Sequence, residues 1–277
     1  MVSTFQIKPA PLLQPFISCY ALRKFNTGNA TLVKPMHAIQ EFYMTFNLKE
    51  KFCKYVEADG NVRKMRSGMI SILTEWQGRA FYKGEYELFC VQFKNNGFCA
   101  IFGIPPKMMI NKVYEIEDIL GNDFRMLTEQ LESCKDVFEM SGYMNQYLIQ
   151  ALLRCKHTTH TSTIAGVSDI IFKNKGLVLM DKLASVANMS FRNFERRFSE
   201  EVGIYPKLYA RITRFFNAVE NKMMNPAKKW TDIVYEGGFF DQAHFIKEVK
   251  TFSSKTPVEL FALSPPPKED VTEEVCA

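Results

Sequence analysis

The fold of the C-terminal third of this chain can be predicted from one segment, Ile233-Val-Tyr-Glu-Gly-Gly-Phe-Phe-Asp-Gln-Ala-His-Phe-Ile-Lys-Glu-Val-Lys250. Its paired glycines interrupt a helical pattern, as turn residues do. The pattern predicts a short helix over Trp230–Glu236, a turn over Gly237–Phe240 and a longer helix over Asp241–Phe252, with Asp241 as its N-cap. Two helices joined by so short a turn form a helix-turn-helix unit, and we name residues 230–252 the second unit.

The same arrangement occurs earlier in the chain. Residues Asp181–Ala187 predict a support helix, and Asn188-Met189-Ser190 predict the turn. Ser190 is the N-cap candidate for the helix Phe191–Glu201. We name residues 181–201 the first unit. Pro206 stands where proline commonly opens a helix, so we predict one long helix to Met224 that separates the two units.

The exposed side chains at the start of each second helix are the candidates for contact with DNA. A recognition helix turns its N-terminal end toward base edges in the major groove, where polar donors and acceptors are needed. Glu195 allows two interpretations, acceptance from cytosine or pairing with a neighbouring arginine, and His244 allows DNA contact or a capping role. The candidate residues are Arg192, Asn193, Glu195 and Arg196 in the first unit and Gln242, His244 and Lys247 in the second.

Both units resemble the AraC-type (AraC/XylS) family of transcription regulators. The family signature runs through Gly-Phe, Asp, a small residue with His-Phe, and Thr-Pro, and this chain has all of them in order from Gly238 to Pro257. The resemblance covers Ile164 to Ala262 and implies sequence-specific DNA binding by a double helix-turn-helix domain. Matching positions in the first unit and after it are Leu183-Ala184, Met189-Ser190, Phe194, Arg196-Arg-Phe198, Gly203, Pro206, Tyr209 and Arg214.

The second unit departs from the family pattern at three positions. Val249 stands where the family usually has Phe, Lys247 replaces a common Arg, and Ser254 replaces the usual Gly. If position 254 needs a positive φ, serine costs about 1 kcal/mol there. Arginine meets guanine with a planar fork, whereas lysine suits phosphate equally well. We therefore predict that the first unit carries most base discrimination and the second mainly backbone affinity.

The first 122 residues indicate strands. Short apolar and aromatic runs alternate with turn residues, and Tyr86–Phe93 has the period of a half-buried strand. From Asp123 the apolar spacing becomes helical and predicts two amphipathic helices. The fold class is α+β: a mostly-β N-terminal domain, a small barrel or sandwich with flanking helices, then the all-α domain. Aromatic density suggests either an ordinary core or an effector pocket lined by Phe42, Tyr43, Phe46, Trp76, Phe81, Tyr82 and Phe93.

These patterns divide the chain into four segments. Residues 1–155 form the N-terminal domain, to which the family resemblance assigns sensing or dimerisation. The polar stretch 156–163 is the linker candidate, 164–264 is the double helix-turn-helix domain, and 265–277 is a proline-rich acidic tail that we expect to be disordered.

Composition and motifs exclude several classes of protein. Seven scattered cysteines argue against a disulfide framework, and neither a signal peptide nor a membrane span is indicated, so we expect a cytoplasmic protein. No hydrolase, metalloprotease, P-loop or dinucleotide fingerprint occurs, which predicts no enzyme, no cofactor and no metal site. The cluster of Cys155, His157 and His160 has no fourth zinc ligand at finger spacing.

The partners follow from the resemblance and from charge. Segment 164–264 has 15 basic against 11 acidic residues, a balance that permits DNA binding without proving it. The resemblance implies double-stranded DNA as the partner and allows RNA polymerase, a small-molecule effector and a second copy of the chain. The alternative function is a protein-interaction module whose helical region has lost specific DNA binding.

Overall fold

The computed structural model describes residues 2–49, 52–70, 72–94, 97–155, 163–262 and 272–274. Its N-terminal part contains two sheets, as the sequence predicted. The larger sheet has the order β10-β7-β4-β9-β2-β1-β11. Its strands are β1 (Val2–Ile7), β2 (Ile17–Asn26), β4 (Phe42–Asn47), β7 (Ser67–Ile70), β9 (Glu85–Phe93), β10 (Val113–Tyr114) and β11 (Thr272–Glu274).

The smaller sheet is antiparallel and has the order β3-β8-β5-β6. It faces the larger sheet, since the ring of Phe25 on β2 meets that of Tyr82 on β8 with centroids 5.6 Å apart. The four strands are β3 (Leu32–Met36), β5 (Cys53–Glu57), β6 (Val62–Met65) and β8 (Gly78–Tyr82).

Helices cover the other face of the larger sheet. Phe42 stacks on Phe98 at 5.7 Å and Phe46 on Phe124 at 5.3 Å, so the odd-even alternation of β4 sends these rings to the helical side. The two amphipathic helices expected after Asp123 are confirmed as the last two of this group. The helices are α1 (Gly97–Phe102), α2 (Glu117–Leu120), α3 (Asn122–Ser133) and α4 (Val137–Arg154), and a 3₁₀ turn occupies Pro106–Met108.

The C-terminal part is helical, and its helix boundaries follow the predicted caps. Pro206 opens the long helix, and Ser190 and Asp241 are N-caps. The helices are α5 (Thr163–Lys173), α6 (Met180–Val186), α7 (Phe191–Val202), α8 (Pro206–Met224), α9 (Trp230–Glu236), α10 (Gln242–Ser253) and α11 (Pro257–Ala262). Among the described residues, no helix is both long and apolar enough to cross a bilayer.

The linker and tail predictions fall mostly outside the described residues. Of the linker 156–163, only Thr163 is described, where it begins α5. Within the tail 265–277, Thr272–Glu274 pair with β1 in parallel, which differs from the expected disorder. The physical reason is that the edge of β1 offers unpaired backbone groups to any extended segment.

The described residues include two contacts between the N-terminal and C-terminal parts. The Ala38 N–H donates to the Phe252 carbonyl at 2.9 Å, and the ring of His37 lies 5.5 Å from that of Phe215 on α8. At the second place Gly203, just after α7, approaches the 3₁₀ turn so closely that an added Cβ would lie 3.0 Å from the Cβ of Pro106. The first contact holds α8 and the end of α10, and the second holds the end of α7.

Candidate nucleic-acid interface

The first unit is built by one cap and an aromatic row. The Asn193 N–H donates to Ser190 Oγ at 3.4 Å, which starts α7. On the inner side of the helix, Phe194 and Phe198 are fully buried with ring centroids 5.8 Å apart. Phe198 also meets Tyr209 at 5.6 Å, so α7 is fixed to the first turn of α8. This packing leaves the opposite side of α7 to solvent.

The second unit uses the same plan. Gly238 has φ 64°, a left-handed backbone conformation that glycine adopts without strain. The His244 N–H donates to Asp241 Oδ1 at 2.7 Å and starts α10. Phe245 packs between Phe239 and Trp230, with centroid distances of 4.9 Å and 5.6 Å. The turn and the inner side of α10 are therefore fixed by buried contacts.

Helix α8 connects the two units as a spacer about 28 Å long at 1.5 Å per residue. Phe215 is buried and lies 5.4 Å from the ring of Phe252 at the end of α10. Arg211 on α8 donates to both oxygens of the buried Glu248 on α10, at 3.0 and 2.7 Å. An aromatic contact and a two-bond ion pair thus set the position of α10 on the spacer.

One spacer residue has a different role from the one that sequence spacing suggests. Helical periodicity groups Phe216 with Ile212, Phe215 and Val219 as packing positions between the units, and these three are buried. Phe216 is half-buried, and its ring faces His37 of the N-terminal part at 6.4 Å. It therefore belongs to the contact between the two parts of the chain.

The outer side of α7 carries arginines that are already paired. Arg196 donates to both oxygens of Glu200 at 2.9 Å and to Asn193 Oδ1 at 2.9 Å. Arg197 donates to Glu201 at 2.7 Å. Ion pairs this exposed contribute only about 0–1 kcal/mol, so Arg196 can exchange Glu200 for a base or a phosphate at little cost.

The structure brings the four candidates of the first unit together. Arg192, Asn193, Glu195 and Arg196 line one concave surface with Lys107 of the N-terminal part. Lys107 is an addition that sequence reasoning missed. It lies in the 3₁₀ turn that approaches Gly203. Local sequence patterns do not predict a contact between segments so far apart in the chain.

The outer side of α10 carries exposed Gln242 and Lys247, as predicted. Its only acidic residue, Glu248, turns inward to Arg211. His244 is half-buried, and its ring Nδ1 accepts the Phe240 N–H at 3.3 Å. Of its two predicted roles, this geometry supports the one that secures the turn.

The seven aromatic candidates for an effector pocket do not line one cavity. Phe42, Phe46 and Phe93 lie on the helical side of the large sheet, because strand residues two apart share a face. Tyr82 lies between the sheets, and Lys54 covers Phe81 on the outer side of the small sheet. Trp76 is half-buried, beyond the end of β7. The seven rings therefore do not share one face of the sheets, and which of them contact an effector stays a prediction.

Tyr43 remains, and it belongs to a polar cluster on the face between the sheets. Its hydroxyl donates to the buried Glu41, which also accepts from Gln92 Nε2 at 2.7 Å. Burial raises the pKa of Glu41 above the ordinary glutamate range. Cys19 donates to Gln92 Oε1 at 3.4 Å, and burial raises the pKa of its thiol to about 11. Sequence reasoning missed this cluster because it searched for rings rather than for polar residues on the inner face.

Comparisons with known proteins identify a helix-turn-helix domain in the C-terminal part. A family model described as a helix-turn-helix domain matches residues 183–262. The structure of ToxT from Vibrio cholerae is similar, with a TM-score of 0.50 and 10% identity over 88% of this chain and 98% of that one. The AraC-like transcriptional activator CuxR matches over 78% of this chain and 86% of its own, with 12% identity and a TM-score of 0.26. No curated protein sequence matches the chain.

Proposed function

Because residues 183–262 form an AraC-type helix-turn-helix domain, we propose that this transcription regulator binds specific DNA sites by placing α7 and α10 in successive major grooves. One observation carries the proposal: each unit buries the aromatic side of its second helix and leaves polar or basic side chains outward at its start. A recognition helix needs that arrangement.

The spacer supports a defined site length. Helix α8 is rigid along its buried side and is fixed to α7 through Tyr209 and to α10 through Phe215. Two recognition helices on one face of B-DNA must be about 34 Å apart, one helical turn. We therefore expect an operator with two half-sites whose centres are about one turn apart.

Within this proposal the two units make different kinds of contact with DNA. Arg192 and Arg196 are one helical turn apart on α7, and arginine can engage guanine O6 and N7 together. Gln242 on α10 suits adenine, and Lys247 suits phosphate. The first unit then contributes most of the base discrimination and the second most of the backbone affinity.

Control through the N-terminal part completes the proposal. The cluster of Glu41, Tyr43, Gln92 and Cys19 offers hydrogen-bond donors and acceptors between the two sheets, as a small-molecule site requires. The neighbouring segment at His37 and Ala38 touches α8 and α10, so a ligand that shifts this segment would change the contact with the DNA-binding part. Pairing of two copies is the other means of control that the family resemblance allows.

A gel-shift of the full chain on DNA from upstream of its own gene, at two salt concentrations, tests the proposal. We expect a discrete complex that resists excess unrelated DNA and weakens as salt rises. The double variant Arg196→Ala/Lys247→Ala, altered only at exposed positions, is the control and should lose the complex while keeping its thermal midpoint. Binding that competitor DNA removes completely would favour the protein-interaction alternative.

A further inference from the structure

The start of the second recognition helix exposes a large aromatic side chain. Phe240 is 91% exposed, although its neighbour Phe239 is buried in the core of the unit. Its position is fixed on both sides, since its backbone N–H donates to His244 Nδ1 at 3.3 Å and Asp241 caps the helix directly after it. The ring is thus held outward by the turn and is not a loose loop residue.

Two more apolar residues continue this surface along α10. Ala243 and Ile246 are three residues apart and lie on one side of α10, and Phe240 stands two residues before the first residue of this helix. Ile246 is 39% exposed, and both residues line a shallow concave surface with Lys247, Lys250 and Thr251. We name Phe240, Ala243 and Ile246 the apolar strip.

The charges beside the apolar strip match a nucleic acid. Lys247 and Lys250 are exposed next to it, and the one acidic residue of α10 is turned inward to Arg211. An apolar strip beside two exposed lysines fits a surface that combines apolar groups with phosphates. The major groove has this combination only where thymine places its C5 methyl group.

We infer that the second unit reads thymine methyl groups through the apolar strip, with Phe240 and Ile246 as specificity-determining residues. The inference rests on the proposed function and deepens it, because it names what the second unit recognises besides phosphate. Lys247 and Lys250, about one turn apart beside the strip, hold the DNA backbone, and the strip discriminates against bases that lack the methyl group.

Replacement of thymine by deoxyuridine tests this directly, since it removes the methyl group and keeps O4 and the base pairing. The probe is the best site from a random-sequence selection, substituted under one half-site at a time. Burial of one CH₂ contributes about 0.8 kcal/mol, so each contacted methyl should change affinity about fourfold. We expect the loss in the second unit's half-site and a smaller one in the first.

Variants then assign the effect to residues. Phe240→Ser and Ile246→Ser should bind thymine and deoxyuridine sites equally. Tyr235→Ser is the matched control, because Tyr235 is 87% exposed and belongs to the support helix α9 and not to the strip. It should keep the fourfold discrimination of the wild-type chain. Circular dichroism should show all three folded, since each change is at an exposed position.

Three results would overturn the inference, and they separate it from the proposed function. Specific binding with equal affinity for thymine and deoxyuridine overturns the inference alone. So does a selected site without thymine under the second unit. Failure of the wild-type chain to bind any specific site overturns the proposed function together with the inference.

Discussion

The two helix-turn-helix units share a backbone plan and differ in the surface of their recognition helices. On α7 the exposed Arg196 and the partly exposed Arg197 are each paired with a glutamate one turn later. On α10, Lys247 and Lys250 are exposed, and apolar side chains stand beside them. The first surface is polar and internally balanced, whereas the second is basic and partly apolar.

The units also differ in how their second helices end. Gly203 ends α7 with φ 97°, a conformation that glycine adopts without strain. Ser254 ends α10 with φ 58°, which confirms that the residue at this position needs a positive φ. The comparison indicates that the second unit gives up some intrinsic stability and depends more on the spacer. Substitutions in the two units and at the contact between the two parts of the chain test these differences.

The largest effect should come from removing the aromatic contact that fixes the second unit. Phe215→Ala deletes a fully buried ring between α8 and Phe252, and such deletions cost about 3–5 kcal/mol. Urea unfolding should show this loss, and DNA binding should lose the second half-site first. Phe216→Ala is the control, since the half-buried Phe216 faces His37, and it should cost clearly less. Equal losses would contradict the role given to Phe215.

The next effect separates base readout from backbone anchoring. Arg196→Ala should cost about 1–3 kcal/mol of binding free energy on the preferred site and relax the sequence preference. Lys247→Ala should weaken all sequences about equally and reduce the salt slope by roughly one. Titrations of both variants on matched and mismatched sites measure this. The division between the units fails if Lys247→Ala alters the preferred sequence and Arg196→Ala does not.

A change at the helix ends tests the difference in stability. Ser254→Gly should stabilise the chain by about 1 kcal/mol, because glycine has no Cβ to resist the positive φ. The mirror change Gly203→Ser should destabilise it by more, since the new Cβ would also meet Ile110 Cδ1 at 2.9 Å. Denaturant midpoints measure both. A Ser254→Gly variant no more stable than the wild type would show that φ at this position is not costly.

The smallest effect is a pH dependence of the contact between the two parts. Loss of surrounding water lowers the pKa of the partly buried His37, whose Nδ1 lies 2.9 Å from the Ala38 carbonyl oxygen. A histidine whose pKa is lower in the folded chain than in the unfolded chain makes its full contribution to stability above the unfolded pKa of about 6.5. That contribution is lost as the pH falls from the unfolded pKa through the lower pKa of the folded chain. Unfolding midpoints at pH 7.5 and pH 5.5 should differ less in His37→Gln, and an unchanged difference would exclude His37.

Local patterns predicted most of the helical part. Ser190, Asp241 and Pro206 mark helix starts because capping depends on the nearest residues, and the structure has helices starting at these positions. The pairing of Arg196 with Glu200 is equally local, since residues four apart are neighbours on a helix.

Contacts between distant segments could not be found in this way. Lys107 beside α7 and His37 beside α8 depend on how the sheets pack against the helices, which no local spacing encodes. The separation of the seven aromatic residues onto different faces has a different origin. Phe42 and Tyr43 are consecutive in β4, so their side chains must lie on opposite faces, and the period of two already shows this.

A random-sequence selection with the full chain, followed by sequencing of the bound DNA, tests whether the two units bind DNA together. We expect two enriched half-sites with centres about 10–11 base pairs apart, one helical turn. One half-site should be strongly specified and sensitive to Arg196→Ala, and the other weakly specified and rich in thymine. No enrichment, or a single half-site that persists in the Phe215→Ala variant with wild-type affinity, would show that the two units do not bind DNA together.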